Sequence, residues 1–240
     1  MMQKKQRPLQ QKTVGILGGM SDKATHVYYK KLNQAVNDRL GGWDIAEVLI
    51  QGVNFGNIEH WVRNDQWEDA KEYLQNKAKL AEAGGADFLV CASNTMHKVL
   101  DDLKSVVSIP FLHIAHPTGE QIIALGLNKV GLLGTRPVMA HGYIQDYLMK
   151  HFNIEVIVPD EEDQLQVDQI IFDELVKDQY TSASKQVYCE ISKKLQAQGA
   201  QGIILGCTEI LLLLEQEDLP DLPLIDTTQE HIHGILKLLS

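Results

Sequence analysis

The amino-acid sequence repeats the same series of segments in its two halves, and this internal duplication limits the folds that the chain can adopt. Four segments recur in the same order, and counterparts lie 108 to 116 positions apart. The matching pairs are 14–20 with 130–136, 47–50 with 155–158, 85–95 with 199–209, and 109–113 with 222–226. We therefore expect two similar folding units.

Each copy alternates short apolar runs with amphipathic stretches, the pattern of strands and helices in an α/β protein. We predict an α/β fold with two duplicated, doubly wound parallel-sheet (flavodoxin-like) domains, related by pseudo-twofold symmetry, with the active site at their interface. The expected divisions are a flexible tail over 1–12, an N-terminal α/β domain over 13–118, a C-terminal α/β domain over 119–225, and a terminal segment over 226–240 that packs back on the first domain.

Within the first copy the pattern predicts individual elements. Apolar alternation and helical spacing indicate, in chain order, a strand with a glycine turn over 13–20, a helix over 26–40, a strand over 46–50, a helix over 67–83, and a short strand over 109–114. In the second copy, three apolar residues between Gly202 and Gly206 predict a buried parallel strand.

Composition excludes several classes of protein. The 240 residues carry a formal net charge of −10, which argues against general nucleic-acid binding and against adhesion to an anionic membrane. No apolar run is long enough for a membrane-spanning helix, and residues 1–8 lack the apolar core of a signal peptide. We expect a cytoplasmic protein.

The three cysteines, Cys91, Cys189 and Cys207, have the spacing of neither a metal site nor a disulfide framework. His231 and His233 lie two apart in a predicted terminal helix, where they face different directions, and we expect them to be surface or packing residues. The sequence predicts no metal site.

Cys207 and Ser93 are the residues that the duplication singles out. They are counterparts in the two copies, and each follows an apolar strand. Taken alone, a cysteine in such a place is more often a small core residue than a reactive one. However, ligands bind beyond the carboxyl ends of parallel strands, so the two side chains would meet across a cleft if the copies pack face to face.

Two proton-handling groups on opposite sides of a small pocket suit a reaction that removes a proton from one face of a carbon and returns it to the other. A thiolate is a competent base once its surroundings lower the thiol pKa, and we expect turn amides and a following helix start to do so at Cys207. Neutral hydrogen bonds for a substrate carboxylate are expected from Asn94, Thr95, Thr135 and Thr208.

At these residues the chain resembles the aspartate/glutamate/hydantoin racemase superfamily, and within it the pyridoxal-phosphate-independent aspartate/glutamate (amino-acid) racemases. The resemblance lies in the segments 15–21, 93–97, 131–136 and 206–209. It implies two-base racemisation of a small amino acid at its α-carbon, without a cofactor and often in a homodimer. It also implies a substrate-binding set of Met20, Ser21, Asn54, Asn94, Thr95, Thr135, Thr208 and Glu209.

Carried over by position, Cys207 is one catalytic acid/base and Ser93 is the other. Most family members have cysteine where this chain has Ser93, and a serine hydroxyl is a far weaker acid than a thiol. Ser93 is therefore expected to donate a proton directly or through a bound water, which would make the two directions of racemisation unequal. Cys91 is a second-choice base and otherwise a packed core residue.

Other departures from the family concern the substrate. Lys23 and His116 replace acidic residues that are common in relatives, and Gln166 stands where relatives often carry a basic residue for the distal carboxylate. Aspartate or glutamate remains the first expectation, with Arg63 or Lys23 as substitutes for that basic residue. Arg136 is equally consistent with a ligand and with a structural arginine at a strand end.

Two other functions are consistent with the sequence. A malonate-type decarboxylase needs only one thiol, but it requires a small apolar pocket opposite Cys207 rather than the polar turn at Ser93. A catalytically impaired amino-acid-binding protein would bind its ligand without exchange of the α-proton. Nucleotide binding is excluded because Gly15 to Met20 has neither dinucleotide nor P-loop spacing.

Overall fold

The computed structural model describes residues 8–100, 103 and 105–239. Seven strands are present in this part of the chain: β1 (Thr13–Gly18), β2 (Glu47–Gly52), β3 (Phe88–Cys91), β4 (Lys129–Gly134), β5 (Glu155–Ile157), β6 (Ile203–Gly206) and β7 (Leu224–Asp226). The helices of the same part are α1 (Asp22–Leu40), α2 (Phe55–Arg63), α3 (Trp67–Ala83), α4 (Ala115–Ala124), α5 (Arg136–Ala140), α6 (Tyr143–Phe152), α7 (Glu161–Asp173), α8 (Ser182–Ala197) and α9 (Thr227–Leu238).

The strands form two parallel sheets, as the duplication predicts. The first sheet has the order β2-β1-β3 and the second has the order β5-β4-β6-β7. Beside β3, in place of a fourth strand, the first sheet has a single parallel bridge between Leu89 and Phe111. The two sheets therefore share one strand order, and the fold is a pair of duplicated flavodoxin-like units.

The duplication extends to the conformation of single residues. Gly85 and Gly199 both follow a long helix, and their φ angles are 93° and 98°, a left-handed region that favours glycine. Two positions further on, the Asp87 carboxylate accepts a hydrogen bond from the backbone N–H of Thr13, and the side-chain oxygen of Gln201 accepts one from that of Lys129. The two hydrogen bonds thereby link the segment before β3 to β1 and the segment before β6 to β4.

The last helix packs on the core of the first unit. Ile232 and Ile235 of α9 are fully buried and share a cluster with Val14 and Ile16 of β1 and Tyr28 of α1. Helix α9 also contacts α4, which begins the second unit. It thus lies against both halves of the molecule.

Several sequence predictions hold closely, and one element is wrong. The helix predicted over 67–83 is α3, with the same bounds, and the helix predicted from residue 26 begins earlier, at Asp22. The strand predicted over 109–114 does not form, since only Phe111 makes a bridge. Pro110 has no backbone N–H to donate, and Ile114 already has helical backbone angles before α4, which limits the pairing to one bridge.

The predicted flexible tail lies partly outside the described residues, which begin at residue 8. At its end, Gln11 donates to the Ile45 carbonyl oxygen and Lys12 donates to the Leu238 carbonyl oxygen.

Within the described residues, no helix combines the length and the apolar character that a membrane crossing requires.

Candidate active site

A cleft of about 760 Å³ lies between the two units, where the carboxyl ends of β1, β3, β4 and β6 face one another. The turns after these strands form its floor, helices α2 and α7 form opposite walls, and Thr228 of α9 closes one side. A volume of this size accommodates a small organic ligand. Its position matches the rule that ligands bind beyond the carboxyl ends of parallel strands.

The cleft collects nearly all of the residues predicted from the sequence. Both Ser93 and Cys207 line it, one contributed by each unit. The other predicted residues on its surface are Met20, Ser21, Asn94, Thr95, Thr135, Thr208 and Glu209. The structure therefore brings together, from separate parts of the chain, side chains that the sequence could connect only through the duplication.

Asn54 is the predicted site residue that the described lining of the cleft does not include. Its side chain is exposed and caps α2, because Oδ1 accepts a hydrogen bond of 3.0 Å from the backbone N–H of Gly56. Asparagine is a preferred residue at this position of a helix. The resemblance implies that Asn54 binds substrate, which stays a prediction, and in this structure its side chain caps α2.

The surroundings of Cys207 favour the thiol over the thiolate. Its Sγ donates a hydrogen bond of 3.0 Å to Oε2 of Glu209, which also accepts one of 2.9 Å from the Thr208 hydroxyl. Burial, followed by the charge and the hydrogen bond of Glu209, raises the pKa of the Cys207 thiol well above its ordinary value. A backbone hydrogen bond from Glu209 acts to lower this pKa, as expected of a turn amide, but burial and the Glu209 carboxylate outweigh it.

Glu209 contacts both units of the molecule. Besides its contacts within the Cys207 turn, its Oε1 lies 3.4 Å from the Ser21 hydroxyl, which donates to it from the β1–α1 turn. The side chain is only 7% exposed, so its carboxylate is held among hydroxyl and thiol donors. Glu209 was predicted to bind substrate, and its position shows that it also touches the thiol.

The turn that carries Ser93 is held by a buried histidine. Since a carbonyl oxygen only accepts, Nδ1 of His97 donates to the Ser93 carbonyl oxygen at 2.8 Å, while Nε2 accepts from the backbone N–H of Ile114 at 3.1 Å. Burial lowers the pKa of His97 to about 4 and favours this neutral form. His97 thus fixes the backbone of Ser93, which lines the cleft.

The Asn94 amide has one recorded hydrogen bond, which its Nδ2 donates, and an acceptor without a partner. The Thr227 hydroxyl donates to the Leu205 carbonyl oxygen, so its oxygen accepts from Nδ2 of Asn94 at 3.0 Å. Oδ1 of Asn94 is buried and has no hydrogen-bond partner among the described residues. Nδ2 carries a second N–H, so donation from Asn94 to a substrate carboxylate stays a prediction, while Oδ1 is an acceptor that suits a donor such as an ammonium group.

Polar contacts join the two units around the cleft. The hydroxyls of Thr95 and Thr135 lie 3.1 Å apart, and Tyr143 donates to the Asn94 carbonyl oxygen. At the mouth, Nζ of Lys23 in α1 donates to the Val176 carbonyl oxygen and pairs with Asp178 at 2.6 Å. These bonds fix the facing turns relative to each other.

Sequence reasoning missed Asp168 and Phe172, which line the cleft from α7. Asp168 accepts a hydrogen bond of 2.6 Å from the backbone N–H of Arg136, the first residue of α5. Gln166, which was considered as the site for a distal carboxylate, is exposed and outside the described lining. Their helical spacing could have indicated these residues in the sequence, because Asp168, Ile171 and Phe172 share one face of α7.

The structure also bears on the predictions for Cys91 and for metal binding. Cys91 is fully buried in the core of the first unit, outside the described lining of the cleft, and burial raises its pKa to about 12. Within the described part of the chain, no three histidine, cysteine or carboxylate side chains are grouped as a metal site requires.

Comparison with known proteins gives the same family from sequence and from structure. The sequence profile of the family described as Asp/Glu/Hydantoin racemase matches residues 17–234. Among known proteins, the chain is 30% identical over 227 residues to the broad specificity amino-acid racemase RacX of Bacillus subtilis strain 168. The match covers 90% of this chain and 92% of that protein.

Two solved structures superpose closely on the chain. A proposed Asp/Glu racemase from Yersinia pestis has a TM-score of 0.89 and 40% identity, over 95% of this chain and 99% of the other. An aspartate racemase homologue from Pyrococcus horikoshii has a TM-score of 0.82 and 31% identity, with the same coverage of 95% and 99%.

Proposed function

The chain belongs to the Asp/Glu/hydantoin racemase family, and from this premise we propose that it is an amino-acid racemase that inverts the α-carbon by proton transfer between two side chains. The observation that carries the proposal is that Cys207 and Ser93, counterparts in the duplication, line one cleft from opposite units. In this proposal each of the two faces one side of a bound α-carbon. Aspartate and glutamate are the first substrates to assay, because the relatives' names point to them.

Cys207 acts as the base on one face. Its thiol proton passes to Glu209, whose Oε2 already accepts it at 3.0 Å. Binding of a substrate ammonium near Asn94 places a positive charge in the cleft, which offsets the negative charge of Glu209 and favours the thiolate. The thiolate then removes the α-proton, and the electron pair of the broken C–H bond moves into the substrate carboxylate.

Ser93 serves the opposite face. Its hydroxyl gives a proton to the α-carbon, which forms the new C–H bond, and the resulting alkoxide regains a proton from solvent water. The hydroxyls of Thr95 and Thr135 share one hydrogen bond, so one of them keeps its proton and donates a neutral hydrogen bond to the substrate carboxylate as charge builds up on it. A serine is a weaker acid than a thiol, so the two directions of the reaction differ in rate.

The alternative reactions fit the cleft less well. A decarboxylase of malonate-type acids requires an apolar pocket opposite Cys207, whereas the turn at that place presents Ser93, Asn94 and Thr95. A protein that only binds an amino acid remains an outcome of the test below.

The test is incubation of purified protein with single L-amino acids, followed by chiral chromatography. We expect the D-enantiomer to appear with the unchanged protein and to be lost with Cys207→Ala. The matched control is Cys189→Ala, which removes a partly buried thiol outside the cleft and should leave turnover unchanged. Turnover that survives Cys207→Ala, or no turnover on any amino acid while ligands still raise the Tm, would overturn the proposal.

The homodimer implied by the family resemblance remains a prediction, and light scattering coupled to size-exclusion chromatography tests it. A mass of twice the 26.9 kDa chain is the expected result.

A further inference from the structure

The position of the Ser93 hydroxyl is set by the main chain that carries it. Ser93 lines the cleft on the turn after β3. Within the part of the chain that the structure describes, its side chain makes no hydrogen bond. A hydroxyl without a partner takes its place from the backbone and from one side-chain torsion. The distance from the Ser93 oxygen to a bound α-carbon therefore depends on what holds the main chain of this turn.

Two side chains hold consecutive carbonyl groups of the turn. Nδ1 of His97 donates to the Ser93 carbonyl oxygen at 2.8 Å, and the Tyr143 hydroxyl donates to the Asn94 carbonyl oxygen at 3.3 Å. The second oxygen also accepts from the backbone N–H of His97 at 3.2 Å. His97 follows the turn in the first unit, whereas Tyr143 is the first residue of α6 in the second unit. The turn is thus held from both units.

The His97 ring is itself fixed. It is fully buried and lies outside the described lining of the cleft. Its Nε2 accepts from the backbone N–H of Ile114, the residue before α4, at 3.1 Å, and the ring of His113 lies edge-on to it with 4.5 Å between centroids. A neutral imidazole offers one donor and one acceptor, and both are used here. His97 can therefore affect the reaction through the turn that it holds.

Small displacements of Ser93 matter because proton transfer requires close approach. Reacting atoms must come within about 3–3.5 Å, and a misplacement of about 1 Å costs about 100-fold in rate. A serine hydroxyl is a weak acid, so a favourable transfer does not offset poor geometry. Cys207 lies on a turn of the other unit, where its thiol donates to Glu209. Loss of the bonds that hold the Ser93 turn should therefore impair proton transfer at one face of the substrate and spare the other.

We propose that His97 and Tyr143 are positioning residues for the half of the reaction that Ser93 serves, His97 through the Ser93 carbonyl group and Tyr143 through that of Asn94. Both lie outside the described lining of the cleft, so neither is a catalytic residue. The inference rests on the proposed function for its reaction, whereas the hydrogen bonds that hold the turn exist without turnover.

Two amide side chains separate the hydrogen bonds of His97. Asparagine places an N–H donor near the position of Nδ1 and reaches no further, while glutamine places an acceptor near the position of Nε2 and has no donor at Nδ1. His97→Asn therefore retains the bond to the Ser93 carbonyl group, and His97→Gln retains the bond from the Ile114 N–H. Both variants lose the packing of the buried ring.

The reaction is followed in heavy water with each enantiomer of an amino acid that the protein turns over. For the enantiomer whose α-proton Cys207 removes, we expect His97→Gln to lower inversion by about 10- to 100-fold while deuterium enters the recovered substrate from the Cys207 side. His97→Asn should retain most of the inversion. The control is His231→Gln, a buried histidine of α9 that bonds to Tyr28 and Leu112 instead of the turn, and it should leave inversion unchanged.

Tyr143→Phe tests the second hydrogen bond by removal of one hydroxyl. Loss of a neutral hydrogen bond predicts inversion reduced by about 3- to 10-fold, again with exchange at the Cys207 face retained. Tyr147→Phe makes the same change one turn along α6 and should have no effect. A purely structural role predicts instead that inversion and exchange fall together with the Tm, and that result in His97→Gln and Tyr143→Phe would overturn the inference.

Amide hydrogen exchange keeps this inference distinct from the proposed function. Mass spectrometry of the peptide that contains Ser93 reports the opening of the turn without any substrate. Faster exchange in His97→Gln than in His97→Asn, and in Tyr143→Phe than in Tyr147→Phe, supports the positioning role even if no amino acid is turned over. Unchanged exchange of this peptide, or one ratio of inversion to α-proton exchange in every variant, leaves the racemase and removes the positioning role.

Discussion

The Cys207 thiol and the Glu209 carboxylate share one hydrogen bond, and this contact controls when the cysteine is reactive. Burial and the adjacent negative charge both disfavour the thiolate. A protonated thiol reacts slowly with alkylating agents and oxidants, because the thiolate is the nucleophile. We therefore expect a positively charged ligand to raise the reactivity of Cys207 by offsetting the charge of Glu209.

Alkylation of Cys207 by iodoacetamide should follow the pKa of the thiol. Because that pKa is raised, we expect slow labelling at neutral pH and a rate that climbs as pH rises into the alkaline range. Glu209→Gln removes the negative charge and the charged acceptor, so its labelling profile should move to lower pH. Peptide mass spectrometry of the Cys207 peptide gives the rate, and Glu217→Gln, an exposed control, should leave it unchanged. An unchanged profile in Glu209→Gln would contradict this account.

Ser93 should limit the rate in the direction in which it must remove the α-proton. Ser93→Cys supplies a stronger acid and a better base at the same place, and we expect that direction to speed up by about tenfold or more. Ser93→Ala should stop inversion while exchange at the Cys207 face continues. Racemisation in both directions, measured by circular dichroism of the substrate, provides the comparison. Equal rates in Ser93→Ala and the unchanged protein would contradict the role of Ser93.

Among the elements, the strands and helices that carry the site could be predicted, and their exceptions have physical causes. The apolar runs of β1, β3, β4 and β6 and the duplication placed Ser93 and Cys207 at equivalent strand ends. The fourth strand of the first sheet could not be excluded from sequence, because a short apolar run fits a strand and a buried loop equally well. The resemblance assigned Asn54 to the site, and the sequence does not distinguish a helix cap from a ligand residue after a strand.

Helix α4 packs closely on α6 at Gly119. A Cβ there would overlap the ring of Phe152, which covers the glycine. Overpacking costs about 1–3 kcal/mol, which exceeds the gain of up to about 1 kcal/mol in helix propensity, so Gly119→Ala should lower the free energy of unfolding. Urea denaturation measures the change.

The matched control for Gly119→Ala is Gly52→Ala in β2, where an added Cβ meets nothing within 4 Å. It should change stability by less than about 0.5 kcal/mol. A Gly119→Ala protein as stable as the unchanged one would show that the two helices are packed more loosely than described.

At the scale of the whole molecule, the two units meet over a group of buried histidines. The rings of His97 and His113 lie 4.5 Å apart between centroids, those of His97 and His231 lie 6.2 Å apart, and His113 stacks on Tyr147 of α6. His231 donates from Nε2 to the Leu112 carbonyl oxygen and accepts from the Tyr28 hydroxyl, a pattern that requires a neutral ring. Burial lowers the pKa of all three histidines.

Acid should therefore destabilise the protein below the pKa of about 6.5 that histidine has when unfolded. The unfolded chain then binds more protons than the folded one, so stability is present above that pH and is lost as pH falls towards about 4 for His97 and about 3 for His231. Between pH 7 and pH 5 the expected loss is about 2 kcal/mol for each of these two groups.

Urea denaturation at the two pH values measures this loss. His231→Gln should reduce the pH dependence, whereas His233→Gln, on the exposed face of the same helix, should not. Equal stability at pH 7 and pH 5 would contradict the neutral assignment. The sequence indicated that His231 is a packing residue, but its partners Tyr28 and Leu112 come from distant segments and only the packing of the two units shows them.

The central claim is that Cys207 and Ser93 work on opposite faces of one α-carbon, and the position of deuterium tests it most directly. The protein is incubated in heavy water with an L-amino acid that it turns over. Early in the reaction the two enantiomers are separated, and mass spectrometry measures the deuterium content of each. Two-base transfer predicts that the D-product carries deuterium at the α-carbon while the recovered L-substrate carries almost none, because each face exchanges with its own group. Deuterium that accumulates in the recovered L-substrate, with D-product that retains the original proton, would show that a single group serves both faces and would contradict the account.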